Sequence, residues 1–304
     1  MKLRGAIVAM ATPFREDGTI HKDTLRRMTD FVIERKVDGI FAASTVGEFV
    51  HLSVRQRHEL VALTAEYAAG RVPVLGGASD LSPARVIDHC REFKRAGAGC
   101  ATIAPPYYYA MTQEDILAHY HQVAESIELP FVLYHIPQCS NRMTVETMLE
   151  AVRSCGPVAL KNSNTDVLEM MALLEGLKTS GITYLVGPDE LLFTGLELGA
   201  AGCMSGLAGT VPEAVRRLID SYRAGDIDLA RRIQFSLLEL LKLVGDIPFP
   251  ACVKLMLSAR GFDMGPPVHA QSPATRERIE RRKPEVTRKI TSILQELGEP
   301  VIAT

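Results

Sequence analysis

The sequence predicts a (β/α)8 barrel followed by a C-terminal helical region. Over the first 225 residues, eight short apolar runs rich in β-branched residues alternate with longer stretches of helical apolar spacing. Turns that contain glycine recur between a helix and the next strand. An open doubly wound sheet would show the same alternation with about five or six strands, whereas a barrel takes eight strands in about 250 residues. The count of eight therefore favours the barrel.

The predicted strands are short and almost wholly apolar. They are Ala6–Ala11, Gly39–Ala43, Val72–Gly76, Cys100–Ala104, Phe131–Ile136, Val158–Leu160, Tyr184–Val186 and Cys203–Ser205. The helix after the second strand enters through Ser53 and the helix after the fourth through Thr112. Serine and threonine hydroxyls cap helix N-termini. The alternation therefore continues through the whole barrel segment.

A weak internal repeat supports the same order. Residues 95–100 and 198–203 both end a helix with glycine and begin a strand at once, and residues 37–40 form a looser third copy. Glycine at such a position supplies the left-handed C-terminal cap of the helix. We expect a glycine of each copy to adopt that conformation.

The pattern changes near residue 226. Leu229–Val244 and Ala251–Ala259 read as helices with no strand between them, and Arg276–Leu297 is a highly charged helical stretch. Pro266–Pro267 and Ser272–Pro273 are interpreted as a linker before that last helix. We predict a catalytic barrel over residues 1–225 and a helical region over residues 226–304.

The composition excludes several classes of protein. A net charge of −2 gives no electrostatic case for binding nucleic acid or a membrane surface. No segment reaches the roughly 18 apolar residues of a membrane span. The six cysteines are scattered, without a C-x-x-C pair or a His/Cys cluster. This pattern predicts a protein of the reducing cytoplasm without a structural metal.

Lys161 stands at an unusual place. It closes the apolar run Pro157–Leu160 and precedes Asn162 and Ser163. A lysine at the end of a buried strand loses hydration, which favours the neutral amine. A neutral amine can attack a carbonyl carbon and form a Schiff base. The alternative is a lysine that extends to the surface or pairs with a carboxylate.

Other polar groups follow the same ends of the predicted strands, where barrels carry their chemistry. They comprise the segments Ser44–Glu48, Pro105–Tyr109, Tyr134–His135 and Gly187–Glu190. Thr45, with the backbone N–H groups of Val46 and Gly47, is a candidate site for a substrate carboxylate, or else a helix-capping turn. Tyr134, on the strand next to Lys161, is a candidate for proton transfer.

Four motifs in this order resemble the dihydrodipicolinate synthase / N-acetylneuraminate lyase family of Schiff-base lyases. They are Ser44-Thr45-Val46-Gly47-Glu48, Pro106-Tyr107-Tyr108, Tyr134-His135-Ile136-Pro137 and Ala159-Leu160-Lys161. The resemblance covers nearly the whole chain. It implies a Schiff-base lysine at Lys161, a catalytic tyrosine at Tyr134, a proton-relay partner at Thr45, and Tyr108 reaching into a neighbouring subunit's site.

The resemblance further implies a homotetramer built as a dimer of dimers, with the C-terminal helices supporting assembly. It implies pyruvate or another 2-oxo acid as the small-molecule partner. No cofactor is expected, because Lys161 itself forms the covalent intermediate. For Tyr107–Tyr109 the alternative is a packing role in an aromatic loop.

Departures from the family pattern bear on the substrate. Dihydrodipicolinate synthases carry an arginine where Cys139 stands, and a thiol cannot replace that bidentate anion clamp. Val46 replaces a hydroxyl residue, His135 an asparagine, and Ser44 a glycine. The segment with Asp189 and Glu190 resembles the one with which N-acetylneuraminate lyases hold sugar hydroxyls.

Further candidates for substrate contact are Ser140, Ser163 and Ser205. Hydroxyls and carboxylates around a site suit a polyol, although Asp189 and Glu190 could instead complement a helix dipole. We expect an aldolase or dehydratase of a 2-keto-3-deoxy sugar acid. The alternatives are a 4-hydroxy-tetrahydrodipicolinate synthase, which condenses pyruvate with aspartate semialdehyde, and a barrel that senses a 2-oxo acid.

Overall fold

Eight parallel strands close into a barrel in the computed structural model, which describes residues 2–300. The strands are β1 Gly5–Ala9, β2 Gly39–Ala42, β3 Val74–Gly77, β4 Cys100–Ile103, β5 Phe131–His135, β6 Ala159–Asn162, β7 Thr183–Val186 and β8 Gly202–Ser205. Each strand pairs with its neighbours in sequence, and β8 pairs with β1. The predicted barrel is confirmed.

Helices cover the outside of the barrel and extend beyond it. They are α1 Lys22–Glu34, α2 Val54–Ala68, α3 Pro83–Arg95, α4 Gln113–Ser126, α5 Val145–Cys155, α6 Val167–Leu177, α7 Leu192–Glu197, α8 Leu207–Thr210, α9 Pro212–Arg223, α10 Ile227–Val244, α11 Ala251–Ala259 and α12 Pro273–Glu296. Two single 3-10 turns, Phe49–His51 and Asp189–Leu191, follow β2 and β7.

The strands are apolar throughout because both of their faces are covered. Apart from Thr183, every strand residue is buried, either inside the barrel or beneath the helices. Parallel sheets of this kind lack the alternation of apolar and polar residues that marks a half-exposed strand. The continuous apolar runs of the sequence are the result.

Local signals at the helix ends behave as predicted. The Ser53 hydroxyl accepts the Gln56 N–H at 3.2 Å, and the Gln56 side chain accepts the Ser53 N–H at 3.1 Å, which completes a capping box. Thr112 caps α4 by accepting the Asp115 N–H at 3.2 Å. Gly97 and Gly199 have φ values of 87° and 102°, the left-handed conformation expected of the repeat.

The C-terminal helices pack on the barrel at the end where the strands finish. α10 contacts α9 and the turn after β7, and α11 contacts α8. One prediction was wrong here: Ser272–Pro273 is not a linker. It begins α12, because the Ser272 hydroxyl caps the helix and a proline in the first turn needs no hydrogen bond from its nitrogen.

The proposed division at residue 226 stays a prediction.

Across residues 2–300, no helix combines the length and the apolar character needed to cross a membrane.

Candidate active site

A cavity of about 780 Å³ opens at the C-terminal ends of the strands. The lining residues include most of the site residues that the sequence predicts. They are Thr45, Val46, Tyr134, Cys139, Lys161, Ser163, Asp189, Glu190 and Ser205. They come from the turn after β2 and from β5 to β8, so the barrel topology alone brings them together.

Lys161 lies at the floor of this cavity. Strand β6 runs one residue past it, to Asn162, and the register of β5 and β6 sets Tyr134 directly beside Lys161. The lysine is 4% exposed, and its Nζ lies 4.1 Å from the centre of the Tyr134 ring and 5.2 Å from that of Phe41. Among the described residues it forms no salt bridge. The amine therefore neither extends to the surface nor pairs with a carboxylate there.

Tyr134 is also 4% exposed, and within residues 2–300 its hydroxyl has one side-chain hydrogen-bond partner. The Ser163 hydroxyl donates to the Tyr134 Oη at 3.3 Å. Ser163 can occupy this place because residue 187 is glycine, since a Cβ there would overlap the Ser163 Oγ. Thr45, the predicted relay partner, lines the same cavity, but within residues 2–300 its hydroxyl forms no hydrogen bond with Tyr134.

The turn after β2 is held by its own side chains. The Ser44 hydroxyl donates to the Met10 carbonyl at 3.1 Å and accepts the Gly47 N–H at 3.0 Å. A Cβ on Gly47 would lie 2.9 Å from the same carbonyl oxygen. The N–H groups of Thr45 and Val46, in contrast, have no acceptor among residues 2–300. The Gly47 N–H bonds inside the turn, and the residue does not line the cavity. Its predicted role in substrate binding stays a prediction.

Ser140 and Tyr108 also lie outside the cavity. The Ser140 hydroxyl donates to the Ile136 carbonyl at 3.1 Å and faces a small neighbouring pocket of about 20 Å³. Its predicted contact with substrate is therefore not supported in the main cavity. Tyr108 is 87% exposed, with φ of 82°, and stacks edge-to-face on Tyr109. Its predicted role in a neighbouring subunit stays a prediction.

Asp189 is a carboxyl group of the cavity whose pKa is strongly raised. Burial raises the pKa of its carboxyl to about 7, although a hydrogen bond from the Ser205 hydroxyl and another from the Leu207 N–H, at 3.3 Å, act to lower it. The carboxyl group is therefore partly protonated near neutral pH. Glu190 is exposed at the rim.

Cys139 lies at the mouth of the cavity as an exposed thiol, and partial burial raises its pKa. His135 faces the opposite side of the barrel wall. Its Nδ1 lies 3.2 Å from the Asn162 Oδ1 and 3.3 Å from the Glu169 Oε1. Burial lowers the pKa of this histidine, and the Glu169 carboxylate opposes that effect. The substitution at His135 thus leaves the cavity lining unchanged.

Two structural features of the site were missing from the sequence predictions. The first is Lys254, whose Nζ lies 2.8 Å from the Oε1 of the buried Glu48. Burial lowers the pKa of Lys254, and Glu48 partly opposes this. A lysine inside the apolar helix Ala251–Ala259 was the available signal. This ion pair fixes the turn after β2 to α11.

The second feature is a set of apolar residues that line the cavity. It is contributed by α10, α11 and the loop between them, through Leu241, Val244, Ile247, Phe249, Val253 and Met256. These residues look like ordinary core positions in the sequence. No local pattern shows that they face a cavity, because their position depends on how the C-terminal helices pack on the barrel.

The chain matches the model of the Dihydrodipicolinate synthetase family over residues 2–292. It is 33% identical to the 4-hydroxy-tetrahydrodipicolinate synthase of Pelobacter propionicus over 260 residues, which is 85% of this chain and 89% of the relative. It is 31% identical to an uncharacterised DapA-like lyase of Thermofilum pendens over 300 residues, 97% of each chain.

Solved structures agree with these relatives. The 4-hydroxy-tetrahydrodipicolinate synthase of Methylacidiphilum fumariolicum superposes with a TM-score of 0.88 at 28% identity, covering 97% of this chain and 99% of that one. YagE of E. coli, a member of the dihydrodipicolinic acid synthase family solved in complex with pyruvate, gives 0.87 at 25% identity, with coverage of 98% and 99%. The chain described here belongs to the dihydrodipicolinate synthetase family and is a lyase of that family.

Proposed function

We propose that this lyase forms a Schiff base between Lys161 and the carbonyl carbon of pyruvate or another 2-oxo acid. The observation that carries the proposal is the burial of the Lys161 amine at the floor of the cavity, against Tyr134 and with no carboxylate partner among the described residues. An amine freed of hydration and of ion pairing is suited to nucleophilic attack. Pyruvate in the related YagE structure supports the same class of ligand.

The carboxylate of the 2-oxo acid would bind at the turn after β2. The N–H groups of Thr45 and Val46 are available as donors, and the Thr45 side chain lines the same part of the cavity. Backbone N–H groups at such a turn stabilise an anion without a charged side chain. This arrangement would leave the carbonyl carbon facing Lys161.

Bond changes in the proposed reaction balance without a cofactor. The Lys161 Nζ adds to C2 of the substrate, and the carbinolamine loses water to give an iminium ion. In aldol cleavage, Tyr134 or a water bonded to it removes the proton of the C4 hydroxyl. The C3–C4 bond then breaks, its electrons form the enamine, and an aldehyde leaves. Protonation at C3 and hydrolysis release pyruvate and the free amine.

Dehydration would start from the same iminium ion. Tyr134 or a water bonded to it removes a C3 proton to give the enamine, which expels the C4 hydroxyl with a proton as water. Hydrolysis of the resulting conjugated iminium ion releases the unsaturated 2-oxo acid and the free amine. A carboxyl group that is partly protonated at neutral pH can supply that proton, and Asp189 meets this condition.

For the substrate, we propose a 2-keto-3-deoxy sugar acid. The hydroxyl and carboxyl groups of Ser163, Asp189 and Ser205 near Lys161 support a substrate with hydroxyls at C4 and C5. A second candidate, 4-hydroxy-tetrahydrodipicolinate synthase activity, is favoured by the names of several relatives. Against it stands Cys139, a neutral thiol at the cavity mouth where the semialdehyde carboxylate would need a cation.

For the assembly, we propose a homotetramer in which the exposed Tyr108 contributes to the cavity of a neighbouring subunit. The strained backbone and the exposure of this aromatic residue support a contact outside its own chain. The six unpaired cysteines support a reducing compartment such as the cytoplasm.

Borohydride trapping tests the proposed intermediate. The protein is incubated with pyruvate and borohydride, and the adduct is located by peptide mass mapping. We expect the mass of one reduced pyruvate on Lys161, and none in Lys161→Ala. Lys94→Met, at a surface lysine on α3 outside the cavity, is the control and should keep the adduct. An adduct on a different lysine, or none, would contradict the mechanism.

Assays with two substrate sets separate the candidates. Pyruvate release from 2-keto-3-deoxy acids reports aldol cleavage, and loss of water without pyruvate reports dehydration. Pyruvate with aspartate semialdehyde tests the synthase. We expect the wild type to be inactive in the last assay, and Cys139→Arg to gain activity there if the missing cation is the reason. Efficient synthase activity in the wild type would overturn the choice of sugar acid.

A further inference from the structure

A cluster of polar side chains lies behind the floor of the cavity, on the outer face of the barrel wall. Successive residues of a strand point to opposite faces, so Lys161 faces the cavity while Asn162 faces the helices. The register pairs His135 with Asn162, just as it pairs Tyr134 with Lys161. His135 and Asn162 are fully buried, and Glu169, on the first turn of α6, is buried against them. The cluster is therefore one residue away from both predicted catalytic side chains, yet it does not line the cavity.

Hydrogen bonds fix the orientation of the Asn162 side chain. Its amide nitrogen donates to the Glu169 Oε1 at 3.0 Å, and its amide oxygen accepts the Asn164 N–H at 2.8 Å. The His135 Nδ1 lies 3.2 Å from that amide oxygen and 3.3 Å from the Glu169 Oε1. Two oxygens face this nitrogen, so the ring carries a proton there and donates it. Exchanging the amide oxygen and nitrogen of Asn162 would set donor against donor, so the cluster allows one arrangement.

The Glu169 carboxylate holds this arrangement from α6. Its Oε2 accepts from the Arg142 guanidinium at 3.0 Å, which belongs to the loop between β5 and α5. Burying a carboxylate has a desolvation cost that an apolar side chain of similar volume avoids. A buried ion pair is therefore weak evidence for a role in stability alone. The carboxylate is better explained by the side chain that it orients.

The backbone of Ser163 is held on both sides. Its N–H donates to the His135 carbonyl at 2.8 Å, which continues the ladder between β5 and β6. After it, the bond from the Asn164 N–H to the Asn162 side chain closes a turn around Ser163. The Gln138 amide adds a bond to the Ser163 carbonyl at 3.0 Å from the exposed side. The position of Ser163 thus depends on the ladder before it and on the Asn162 side chain after it.

We propose that Glu169 is a positioning residue for proton transfer by Tyr134, although it does not line the cavity. It acts through Asn162 and Ser163, and this inference rests on the proposed Schiff-base function and deepens it. Glu169 orients the Asn162 amide, and the amide closes the turn around Ser163. The Ser163 hydroxyl is then placed to donate to the Tyr134 Oη at 3.3 Å. Because the phenol accepts that bond, its own O–H stays free to point at the substrate.

A double-mutant cycle in kcat tests whether Glu169 acts through Ser163. Glu169→Ala removes the acceptor of the Asn162 amide, and we expect kcat on an accepted 2-oxo acid to fall about three- to tenfold with little change in KM. In the Ser163→Ala background, the same substitution should change kcat by less than about twofold, because the hydroxyl that it positions is already absent. Equal effects in the two backgrounds would overturn the proposal.

Glu169→Gln separates positioning from charge. The glutamine side chain has the same length and keeps an oxygen that can accept from Asn162, so we expect about half or more of the wild-type kcat. Glu175→Ala, at an exposed glutamate on the same helix, is the matched control and should keep full activity. A Glu169→Gln variant as slow as Glu169→Ala would contradict a role in holding Asn162. If Glu169→Ala fails to fold, Asn162→Ala breaks the same link and takes its place in the cycle.

Crystallography gives a readout that does not need turnover. In Glu169→Ala, we expect the Ser163 Oγ to move beyond about 3.5 Å from the Tyr134 Oη, out of hydrogen-bonding range. In Glu169→Gln, the contact should remain. An unchanged contact in Glu169→Ala would refute the positioning role, while borohydride trapping at Lys161 would leave the Schiff-base function standing. Loss of the contact in Glu169→Ala, without trapping in the wild type, would refute the chemistry and keep the positioning of the phenol.

Discussion

At the scale of single residues, the site is built from side chains that meet across strand ends. Lys161 and Tyr134 are paired in register on neighbouring strands, and Ser163 reaches back from the end of β6 to the tyrosine hydroxyl. Asp189 faces the same space from the end of β7. The surroundings of Ser163 and of Asp189 each lead to a prediction that can be measured.

The contact of Ser163 with Tyr134 predicts a loss of rate. Ser163→Ala removes the hydroxyl that donates to the Tyr134 Oη, and the phenol is then less well oriented for proton transfer. We expect kcat to fall about three- to tenfold with little change in KM. Steady-state kinetics on any accepted 2-oxo acid measures it. Ser163→Thr should restore most of the rate, and Ser126→Ala, on the surface of α4, should have no effect. A change in KM without a fall in kcat would contradict this role.

The raised pKa of Asp189 predicts that the stability of the protein depends on pH. Its folded-state pKa of about 7 exceeds the ordinary value of 3.8, so folding favours the protonated form. The stabilisation is complete at pH values below the unfolded-state pKa and is lost as the pH rises through 7. Asp189→Asn removes this dependence. The difference in Tm, variant minus wild type, should therefore be larger at pH 8 than at pH 5, by about 2 °C or more.

Scanning calorimetry at the two pH values checks this expectation. The exposed Asp88 is the matched control, and Asp88→Asn should shift the Tm equally at both. The same shift for Asp189→Asn at pH 5 and pH 8 would show that the carboxyl is not held in its protonated form by the fold.

The sequence predicted the positions of these residues in the cavity, but it did not predict which side chain forms a hydrogen bond with Tyr134. Lys161 and Tyr134 were predicted as site residues because a polar residue at the end of an apolar run is a local signal, and both line the cavity. The partner of Tyr134 was expected to be Thr45, whereas the hydroxyl within reach belongs to Ser163. Which of two hydroxyls comes nearer depends on the curvature of the strand ends. That curvature is a tertiary property, so no spacing in the sequence encodes it.

At the scale of elements, the turn after β2 is fixed to α11 by a buried ion pair. Glu48 has a left-handed backbone conformation, with φ of 61°. Its carboxylate forms an ion pair with the Lys254 ammonium and accepts the Val268 N–H at 2.9 Å. This contact joins residues more than two hundred positions apart. It holds the N–H groups of Thr45 and Val46 in the place where we expect a carboxylate to bind.

Removing one member of this ion pair should lower the free energy of unfolding. Lys254→Met leaves the Glu48 carboxylate buried without its cation, and we expect a loss of about 3–5 kcal/mol in the free energy of unfolding. Adding Glu48→Gln removes the unpaired charge, so the double variant should lose less than the single one. Urea unfolding of the wild type, both single variants and the double variant measures this. A double variant less stable than Lys254→Met would contradict the argument.

Element boundaries could be predicted to within a few residues. All eight strands were located because each is a short apolar run, and Ser53 and Thr112 marked the starts of α2 and α4 through their capping hydroxyls. The start of α12 was misplaced, because Ser-Pro fits a linker and a helix start equally well. The cap, which depends on Thr275 three residues later, decides between them.

At the scale of the whole molecule, the exposed Tyr108 is the residue that we expect to contact a neighbouring subunit. Tyr108 holds a left-handed backbone conformation on an otherwise exposed loop, and its ring packs against Tyr109 alone among the aromatic side chains described. If it completes the site of a neighbour, then Tyr108 and Lys161 act together across a subunit boundary.

Mixing two inactive variants tests this directly. Lys161→Ala lacks the amine and Tyr108→Phe lacks the phenol, so each alone should have low activity. In mixed dimers, one cavity has the intact Lys161 of one subunit and the intact Tyr108 of the other. After unfolding and refolding an equal mixture, we expect about a quarter of the wild-type activity by random pairing. No recovery above the sum of the separate variants would exclude the shared site.

The sequence predicted the fold of the whole molecule but not the shape of the cavity. Strand count and alternation were sufficient for the barrel, because eight strands admit few other closed arrangements. The contribution of α10 and α11 to the cavity was missed, since their residues have the composition of a core. What they face depends on docking against the barrel, and the last helices were expected to serve assembly.

The contribution of α10 and α11 to the cavity has a consequence for how this enzyme can change over time. The residues to which we assign bond making and breaking, Lys161, Tyr134 and Asp189, are encoded before residue 200, whereas the apolar part of the lining comes from one short stretch between Leu241 and Met256. Mutations in that stretch change the lining of the cavity without replacing any of those three residues. A directed-evolution library confined to this stretch can therefore vary the shape of the cavity while the proposed chemistry is inherited intact.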